Sequence, residues 1–241
     1  MSLSDRIAQW LREYLEAAGA DGFVFGLSGG VDSAVTAALA VRAIGTGRVL
    51  AAIMPCYSQP DDVRLAHRVA ETFAVPTITV DLSPIYDALI AILPPSETLL
   101  ARANIKPRLR MITLYYLAQM HHYLVLGSGN KSEIAVGYYT KYGDGGVDLL
   151  PLGGLYKTQV WALARELGVP QEVIDRPPTA GLWPGQTDEG EMGITYQELD
   201  RVLAAIEARD FSDVDPLALQ RVQEMMARSE HKRRMPPVFE P

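Results

Sequence analysis

The chain has 241 residues, a mass of 26.4 kDa and a formal net charge of −7 at pH 7, which argues against a protein built for nonspecific binding of nucleic acid. With 48% hydrophobic and 21% charged residues it has the composition of a soluble globular protein of one generous domain, and no apolar run approaches the roughly 20 residues that span a bilayer. The single cysteine, Cys56, excludes an internal disulfide framework, so we expect a cytoplasmic protein without membrane contact.

The first half of the chain alternates short apolar runs with helical patterns. After an amphipathic N-terminal helix, which lacks the cationic start and apolar centre of a signal peptide, the pattern predicts strands at Gly22–Ser28, Gly47–Pro55, Thr77–Ser83 and Tyr123–Asn130. Helices are predicted at Val31–Ile44, Pro60–Val75 and Arg108–His122, and the proline-containing stretch Ser83–Lys106 is expected to be partly irregular.

This alternation predicts an α/β fold, with a Rossmann-like, doubly wound parallel β-sheet flanked by helices in a single domain. Ligands of such sheets bind beyond the carboxyl ends of the strands, where the strand order reverses. If the order is 3-2-1-4, the loops after the first and fourth strands face each other at that point. We therefore expect Asp32 in the first loop and Glu133 after the fourth strand to approach one site.

Glycine-rich and proline-rich segments dominate the second half. Gly137–Tyr156 is glycine-rich and polar, Lys157–Pro170 returns to a helical pattern, and Arg176–Tyr196 is predicted as a long loop. Loops of that length in a compact domain are usually lids, binding loops or disordered segments. Our hypothesis is that residues 80–105 and 180–195 become ordered over bound substrates.

The sequence from Ser28 to Ser33, SGGVDS, follows the first predicted strand and precedes a helix. Its glycines let the backbone approach a phosphate, and free N–H groups at a helix start favour an anion. Asp32 would repel phosphate unless a cation lay between them, which indicates Mg²⁺ bound through oxygen. The loop has neither the lysine of a Walker A motif nor the Gly-x-Gly-x-x-Gly pattern of a dinucleotide site. Two basic clusters, Arg102–Arg110 and His231–Arg234, suit an acidic protein that handles a small polyanion.

The SGGVDS loop resembles the SGGxDS pyrophosphatase loop of the adenylating ATP pyrophosphatases. The resemblance implies that ATP is cut between its α and β phosphates and that the loop holds the departing pyrophosphate. AMP then passes to a carboxyl or carbonyl-type oxygen. The loop alone leaves the acceptor open, because guanylate, asparagine, argininosuccinate and tRNA-modifying enzymes share the motif.

Longer segments narrow the choice of acceptor. Asn104–Met111, Gly127–Pro170, Arg176–Asp200 and His231–Pro237 resemble the NAD synthetase family, and with the loop they cover most of the chain. The resemblance implies ATP-dependent amidation of deamido-NAD to NAD with ammonia, through an adenylated intermediate and with release of AMP and pyrophosphate. It also implies the ATP pyrophosphatase fold and a homodimer with the deamido-NAD site near the subunit interface.

The resemblance to NAD synthetases also implies roles for individual residues. Its ATP site comprises Gly26, Leu27, Ser28, Gly29, Gly30, Val31, Asp32, Ser33, Ser128, Lys157 and Thr179. Its deamido-NAD site comprises Arg108, Lys141, Asp148, His231 and Lys232. Mg²⁺ is expected on Asp32 and Glu133, and a catalytic role is expected for Asp32, Lys157 and Asp148. Lys157 would then supply the lysine that the phosphate loop lacks.

Ammonia is expected to be used directly. Family members that use glutamine carry a large extra amidase domain, for which 241 residues leave no room, and Cys56 alone is not a glutaminase. A separate amidase subunit remains the alternative source of ammonia. Because adenylation supplies the leaving group, no Ser-His-Asp or Cys-His nucleophile is expected. Positioning and charge stabilisation would carry most of the catalysis.

Other interpretations stay open from the residues alone. A tRNA-thiolating ATP pyrophosphatase and a noncatalytic module that binds adenine nucleotides would share the loop. Asp32 and Glu133 would otherwise be ordinary acids at helix starts, which the helix dipole favours. Lys141 and Asp148 would be turn residues, and His231–Arg234 a frayed basic tail.

Three residues near the site are left without a firm role. Arg110 lies two residues from Arg108 and cannot share its helix face, so Arg110 is expected to be structural. Gln59, after the second strand, is suited equally to adenine contact and to a surface loop. Cys56 is expected to be a small residue at a strand end.

Overall fold

The sheet contains four parallel strands in the order β3-β2-β1-β4, which confirms the expected order. The computed structural model describes residues 1–183 and 185–240. The strands are β1 (Gly22–Gly26), β2 (Val49–Ile53), β3 (Thr77–Thr79) and β4 (Tyr123–Leu126). The order reverses between β1 and β4, so the loops that follow these two strands lie next to each other.

Helices connect the strands and continue after the last one. They are α1 (Leu3–Ala18), α2 (Val31–Ile44), α3 (Pro60–Thr72), α4 (Ser83–Ile92), α5 (Leu99–Ala103), α6 (Ile105–His121), α7 (Lys131–Val136), α8 (Lys157–Leu167), α9 (Gln171–Ile174), α10 (Asp188–Met192), α11 (Tyr196–Ala208) and α12 (Pro216–Arg228). Single 3₁₀ turns lie at Thr46–Arg48 and Glu230–Lys232. Within the described ranges, none of the helices has the length and apolarity that crossing a membrane requires.

The central strand β1 is buried on both faces of the sheet, because successive side chains of a strand point to opposite sides. Phe23 and Phe25 pack into the apolar cluster formed with α1, α2 and α8. Val24 packs into a separate cluster with residues of α4 and α6. Helices therefore cover both faces, which confirms the doubly wound architecture.

A third apolar cluster holds the C-terminal helices against α7. Tyr196, Leu199 and Val202 of α11 pack with Val222 of α12 and Val136 of α7. Since α7 follows β4, this cluster places the start of α11 beside the point where the strand order reverses. The C-terminal part of the chain therefore contributes side chains to the same edge of the sheet.

Several predicted elements are wrong in extent. β1 ends at Gly26 rather than Ser28, because the chain turns at Gly29 before α2 begins. β4 ends at Leu126, since Asn130 already serves as the N-cap of α7. The segment Arg176–Tyr196, predicted as a loop, contains the short helix α10, which begins where the Thr187 hydroxyl accepts a hydrogen bond from the Gly190 amide.

Candidate active site

The loop between β1 and α2 has the geometry of an anion cradle. Gly29 has a φ of +80°, and a Cβ there would lie 2.5 Å from the carbonyl oxygen of Asp62, so glycine is required. Gly30 is the N-cap of the 14-residue helix α2 and provides no side-chain cap, which leaves N–H groups of the first turn available to an anion. The Ser33 hydroxyl stabilises the loop by donating to the Gly30 carbonyl at 2.9 Å.

The loop after β4 meets this cradle through Asn130. The Asn130 side chain is fully buried and donates from Nδ2 to Asp32 Oδ1 at 2.9 Å. Its Oδ1 also accepts from the Glu133 amide, and the Glu133 carboxylate accepts from the Asn130 amide, which forms a capping box on α7. Sequence reasoning missed Asn130, although the Asn-x-x-Glu spacing of a capping box was present.

Lys157 interacts electrostatically with an acid from each side of the site, Asp32 after β1 and Glu133 after β4. Its side chain is buried, forms an ion pair with Asp32 and lies 3.5 Å from Glu133 Oε1. The expected approach of Asp32 and Glu133 to one site is therefore confirmed. Burial opposes the charged form of Lys157, but the two carboxylates outweigh it and raise the pKa of the ammonium. Burial and the neighbouring Asp32 charge raise the pKa of Glu133.

The start of α8 is fixed by buried hydrogen bonds that keep Lys157 in place. The Lys157 amide donates to the hydroxyl of Ser132 at 2.9 Å, and the Thr158 amide donates to Asp200 Oδ2 at 2.8 Å. The Ser132 hydroxyl in turn donates to the other oxygen of Asp200. Asp200 on α11 therefore binds both α7 and α8, which carry Glu133 and Lys157.

Tyr196 and Asp188 lie on the far side of this cluster. The Tyr196 hydroxyl is within hydrogen-bond distance of Asp188 Oδ2 (3.0 Å) and of Glu133 Oε1 (3.2 Å), and its ring centroid lies 4.9 Å from Lys157 Nζ. Burial raises the pKa of the Asp188 carboxyl, and its Oδ1 is buried without a hydrogen-bond partner in the described chain. Sequence reasoning missed both residues, since no local spacing marks a tyrosine as a partner of a distant glutamate.

The residues at this point fit a magnesium ion. Asp32 and Glu133 offer carboxylate oxygens, the donors that Mg²⁺ prefers, and the unpartnered oxygen of Asp188 adds negative charge beside them. In residues 1–183 and 185–240 no group of three His, Cys, Asp or Glu side chains is arranged to hold a metal by itself. Mg²⁺ is usually bound by one or two carboxylates together with substrate phosphates, which is the share that Asp32 and Glu133 could supply.

The segment that carries Thr179 lies close to the phosphate loop. Arg176 forms an ion pair with Asp62 of α3, and Asp62 is also the residue whose carbonyl abuts Gly29. Thr179 itself is exposed, and its hydroxyl donates to the Gln186 carbonyl at 2.8 Å. Ser128 is half-buried in the loop after β4. Both predicted ATP contacts therefore lie on segments that border the cradle.

The residues predicted for deamido-NAD fall into one connected basic region and one outlier. Arg108 Nη2 donates to the Lys141 carbonyl at 3.4 Å, and Lys141 Nζ donates to the His231 carbonyl at 2.6 Å. Lys232 is half-buried and donates to the carbonyls of Gly137 and Tyr139 at 2.7 Å each. The C-terminal basic residues 231–233 are thus held in a turn by hydrogen bonds and do not form a frayed tail.

Asp148 is the outlier, beside β4. Its Oδ2 accepts from the Val125 amide at 2.8 Å, and its Oδ1 accepts from the Tyr115 hydroxyl at 3.0 Å. Burial and this hydrogen bond raise the pKa of Tyr115 to about 12. Asp148 makes no direct hydrogen bond to Asp32, Lys157 or Glu133 among the bonds of the described chain, so the structure does not bring it into the charged cluster.

The residues left without a role have structural partners. Arg110 Nε donates to the Met54 carbonyl at 3.1 Å, on a different side of α6 from Arg108, as expected from their spacing. Gln59 is the N-cap of α3. Cys56 is buried just after β2 among the residues of the α4 and α6 cluster, and burial raises the pKa of its thiol.

Comparison with known proteins points to one family. The family profile described as NAD synthase matches residues 3–236. An NH(3)-dependent NAD(+) synthetase of Carboxydothermus hydrogenoformans is 47% identical over 98% of this chain and 96% of its own. The structure of NMN synthetase from Francisella tularensis aligns with a TM-score of 0.91 and 39% identity over 98% of this chain and 97% of that one. The NH3-dependent NAD synthetase of Campylobacter jejuni, solved with a nitrate ion, aligns with a TM-score of 0.86 and 29% identity over 99% and 97% of the two chains. The protein whose Asp32, Lys157 and Glu133 meet at the strand reversal is therefore a member of the NAD synthase family.

Proposed function

We propose that this protein is an ammonia-dependent NAD synthetase, which converts deamido-NAD to NAD and splits ATP into AMP and pyrophosphate. The observation that carries the proposal is the meeting of Asp32, Glu133 and Lys157 beside a glycine cradle at the helix start of α2. A noncatalytic nucleotide-binding module would have no need for a buried lysine between two carboxylates. The NH(3)-dependent NAD(+) synthetase of Carboxydothermus hydrogenoformans, 47% identical over 98% of this chain, supports the same function.

The first chemical step joins the acceptor carboxylate to AMP. A carboxylate oxygen of the nicotinate ring attacks the α-phosphorus of ATP, the bond from that phosphorus to the α,β-bridging oxygen breaks, and pyrophosphate leaves with the electron pair. The free N–H groups at the start of α2 would hold the departing phosphates, and Lys157 would neutralise charge that grows on their oxygens. Ser28 and Ser33 would add hydroxyl contacts, and Ser128 and Thr179 would contact ATP from the bordering segments.

Magnesium, bound by Asp32 and Glu133, would supply charge neutralisation at the phosphate oxygens. The protein's part in that site is to present two carboxylates at a fixed separation. Asn130 holds Asp32, and Tyr196 lies within hydrogen-bond distance of Glu133. Lys157, which pairs with Asp32 and lies 3.5 Å from Glu133 in the structure, would then be free to contact phosphate.

The second step forms the amide. Ammonia attacks the carbonyl carbon of the adenylated substrate, the carbon–oxygen bond to AMP breaks, and the ammonium formed loses a proton to give the carboxamide. No side-chain nucleophile is needed, because AMP is already a good leaving group. Asp148 would orient the nicotinate end or the ammonia, and Arg108, Lys141, His231 and Lys232 would hold the rest of deamido-NAD.

The adenylated substrate must be kept from water, and the segments 80–105 and 180–195 are suited to do this. The first contains α4 and α5, and the second contains α10. Lys106 directly follows the first segment, and its ammonium donates to the carbonyl of Leu182 in the second segment at 2.8 Å. We propose that they become ordered over the bound substrates.

A homodimer is part of the proposal. Three exposed apolar residues of α6, Ile112, Tyr116 and Met120, recur every fourth residue and so form one stripe on the helix surface. Their exposed fractions are 59%, 66% and 60%, which leaves a continuous apolar face that a second copy would cover. Tyr115, which donates a hydrogen bond to Asp148, neighbours this stripe, so a dimer through α6 would bring the subunit interface near the nicotinate end of the substrate.

A cytoplasmic location is proposed on the single buried cysteine alone.

The comparison of solved structures suggests a second candidate acceptor. The Francisella tularensis NMN synthetase aligns with a TM-score of 0.91, against 0.86 for the Campylobacter jejuni NAD synthetase. Nicotinate mononucleotide carries the same carboxylate as deamido-NAD but lacks the AMP half. The same cluster of Asp32, Glu133 and Lys157 would perform the same chemistry on it.

One assay tests the function and separates the two acceptors. The purified protein is incubated with ATP, Mg²⁺ and ammonium and with either deamido-NAD or nicotinate mononucleotide, and the products are resolved by chromatography. We expect NAD and AMP, with a higher kcat/KM for deamido-NAD. A higher kcat/KM for nicotinate mononucleotide would establish the second acceptor, and ADP in place of AMP would contradict both candidate functions.

Asp32→Ala should abolish AMP release. Asp61 is an exposed aspartate in the first turn of α3, so Asp61→Ala serves as the matched control.

A further inference from the structure

Lys106 is a buried cation that the proposed reaction does not use. It lies in the first turn of α6, within the basic cluster Arg102–Arg110, and it is 7% exposed. Its Nζ donates to the carbonyl oxygen of Leu182 at 2.8 Å. No carboxylate of residues 1–183 or 185–240 lies within ion-pair distance of this ammonium.

The surroundings of Lys106 compensate its charge weakly. The rings of Tyr57 and Tyr86 have their centroids 5.9 and 5.8 Å from Nζ, at the outer limit of about 6 Å for an ammonium over an aromatic face. Burial lowers the pKa of the ammonium, because hydration is lost without a carboxylate to replace it. An ammonium has three donors, and Leu182 uses one. Two donors of a buried cation are therefore available to an anion.

A cavity of about 340 Å³ opens beside this ammonium. Its lining residues include the cationic Arg102 and Lys106, the acidic Glu97, and the aromatic Tyr86 and Trp183. Two cationic side chains and one anionic side chain leave a single unit of positive charge. The cavity is therefore suited to a ligand that combines one negative charge with a flat apolar body.

The residues that line this cavity differ from the residues assigned to the reaction site. The described residues that line it include none of the phosphate loop, none of Asp32, Glu133 and Lys157, and none of the predicted deamido-NAD contacts. Arg108, two residues after Lys106, lies about 200° around the helix, since each residue of an α-helix turns by about 100°. There it donates to the Lys141 carbonyl, away from the cavity.

We propose that this cavity is a second binding site, for a small aromatic monocarboxylate. The carboxylate would lie on Lys106 and Arg102, and the ring would lie beside Tyr86 and Trp183. The ligand would contact α5 and α6 on one side and the segment of Leu182 and Trp183 on the other. It would therefore contact both of the segments, 80–105 and 180–195, that we propose to order over the substrates.

Binding of nicotinate to the full-length protein tests the ligand class. Nicotinate is a planar aromatic monocarboxylate, nicotinamide keeps the ring without the charge, and acetate keeps the charge without the ring. By calorimetry or ligand-detected NMR we expect nicotinate to bind at least about tenfold more tightly than either control compound, which corresponds to about 1.4 kcal/mol. Equal binding of nicotinate and acetate, or no binding of nicotinate, would overturn the proposal.

Two variants locate the binding. Lys106→Met keeps the length and apolar stem of the side chain but removes the charge, and should weaken nicotinate binding at least about tenfold. Lys131→Met is the matched control, since Lys131 also lies over a tyrosine ring (Tyr156, 4.4 Å) but pairs with Glu207. Trp183 lies outside the helices, so Trp183→Leu tests the ring contact if Lys106→Met does not fold. Nicotinate binding that persists in both Lys106→Met and Trp183→Leu would contradict the site.

Competition separates this site from the reaction site. Saturating ATP or deamido-NAD is expected to leave the affinity for nicotinate within about threefold of its value in the free protein. Full displacement by either compound would place the cavity inside the reaction site and would refute a separate one. Because the experiment measures binding, its outcome does not depend on whether the protein amidates deamido-NAD.

Discussion

The buried Lys157 forms an ion pair with the half-buried Asp32, although the two residues lie 125 positions apart in the sequence. Lys157 lies in the first turn of α8 and Asp32 in the first turn of α2. These two helices pack against each other. Glu133, 3.5 Å from the same ammonium, completes a group in which one cation faces two carboxylates. With both carboxyl groups ionised the group carries one net negative charge, and a divalent cation would compete with the lysine for it.

Removal of the lysine charge should make the protein depend on magnesium for stability. Lys157→Met leaves Asp32 and Glu133 without their buried counter-charge, so the free energy of unfolding should fall by about 3–5 kcal/mol in the absence of metal. Added Mg²⁺ should bind between the two carboxylates and raise Tm more in the variant than in the unmodified protein. Thermal unfolding with and without Mg²⁺ measures this. Lys131→Met, which removes a half-buried lysine of α7 that pairs with Glu207, controls for a general effect of charge. An equal Mg²⁺-induced change in Tm in Lys157→Met and the unmodified protein would contradict the shared site.

The hydroxyl of Tyr196 is expected to stabilise the carboxylates of Glu133 and Asp188. Tyr196→Phe keeps the ring beside Lys157 but removes the hydroxyl that lies 3.2 Å from Glu133 Oε1 and 3.0 Å from Asp188 Oδ2. The free energy of unfolding should fall by about 1–3 kcal/mol, because a buried acceptor loses its partner. Urea unfolding measures the change. Tyr156→Phe, whose hydroxyl donates to the more exposed Glu207, should cost less; an equal loss in the two variants would argue against a special role for Tyr196.

Asp200 is expected to position Lys157 without contact to substrate. Its carboxylate accepts from the Ser132 hydroxyl and the Thr158 amide, so Asp200→Asn replaces one acceptor by a donor and shifts the start of α8. We expect kcat to fall by about tenfold or more, because small displacements of a charge at a reacting phosphate are costly, while the KM for deamido-NAD stays nearly unchanged. Steady-state kinetics separate the two parameters. A rise in that KM with kcat preserved would show that Asp200 supports the acceptor site instead.

Local pattern and loop position predicted much of the fold and the charged core of the site. Helix α2 has the predicted bounds, Val31–Ile44, because its capping glycines and alanine-rich sequence are local signals. The sequence placed Asp32 and Glu133 at one site only on the condition that the strand order is 3-2-1-4, and the sheet has that order. Asp188 and Tyr196 were not predicted, because their partners lie on other elements. Their placement depends on how α10 and α11 pack, and no periodicity in the local sequence indicates that packing.

The apolar stripe of α6 is expected to form the dimer interface. Light scattering should give a mass of twice the 26.4 kDa of the chain. Tyr116→Glu places a charge in the middle of the stripe, whose burial would be costly, and should convert the dimer to a monomer. Leu217→Glu on α12, at a residue that is 74% exposed, is the matched control and should leave the mass unchanged. A dimer that survives Tyr116→Glu would place the interface elsewhere.

The acid stability of the protein should depend on the pair of Asp5 and Arg42. A hydrogen bond from Arg42, supported by hydrogen bonds from Ser2, lowers the pKa of Asp5 from 3.8 to about 2, and the Arg42–Asp5 distance is 2.5 Å. A carboxyl whose folded-state pKa is depressed stabilises the fold above its unfolded pKa and loses that contribution as the pH falls through the folded value. The contribution of Asp5 is therefore complete above about pH 4 and disappears towards about pH 2.

Because the pair of Asp5 and Arg42 is exposed and screened by salt, the effect should be modest and should shrink at high ionic strength. Asp5→Asn should lower Tm at neutral pH and leave it nearly unchanged at about pH 2, relative to the unmodified protein measured at the same pH. A difference in Tm between the two proteins that stays constant over this pH range would show that Asp5 acts through its cap of α1 and not through its charge.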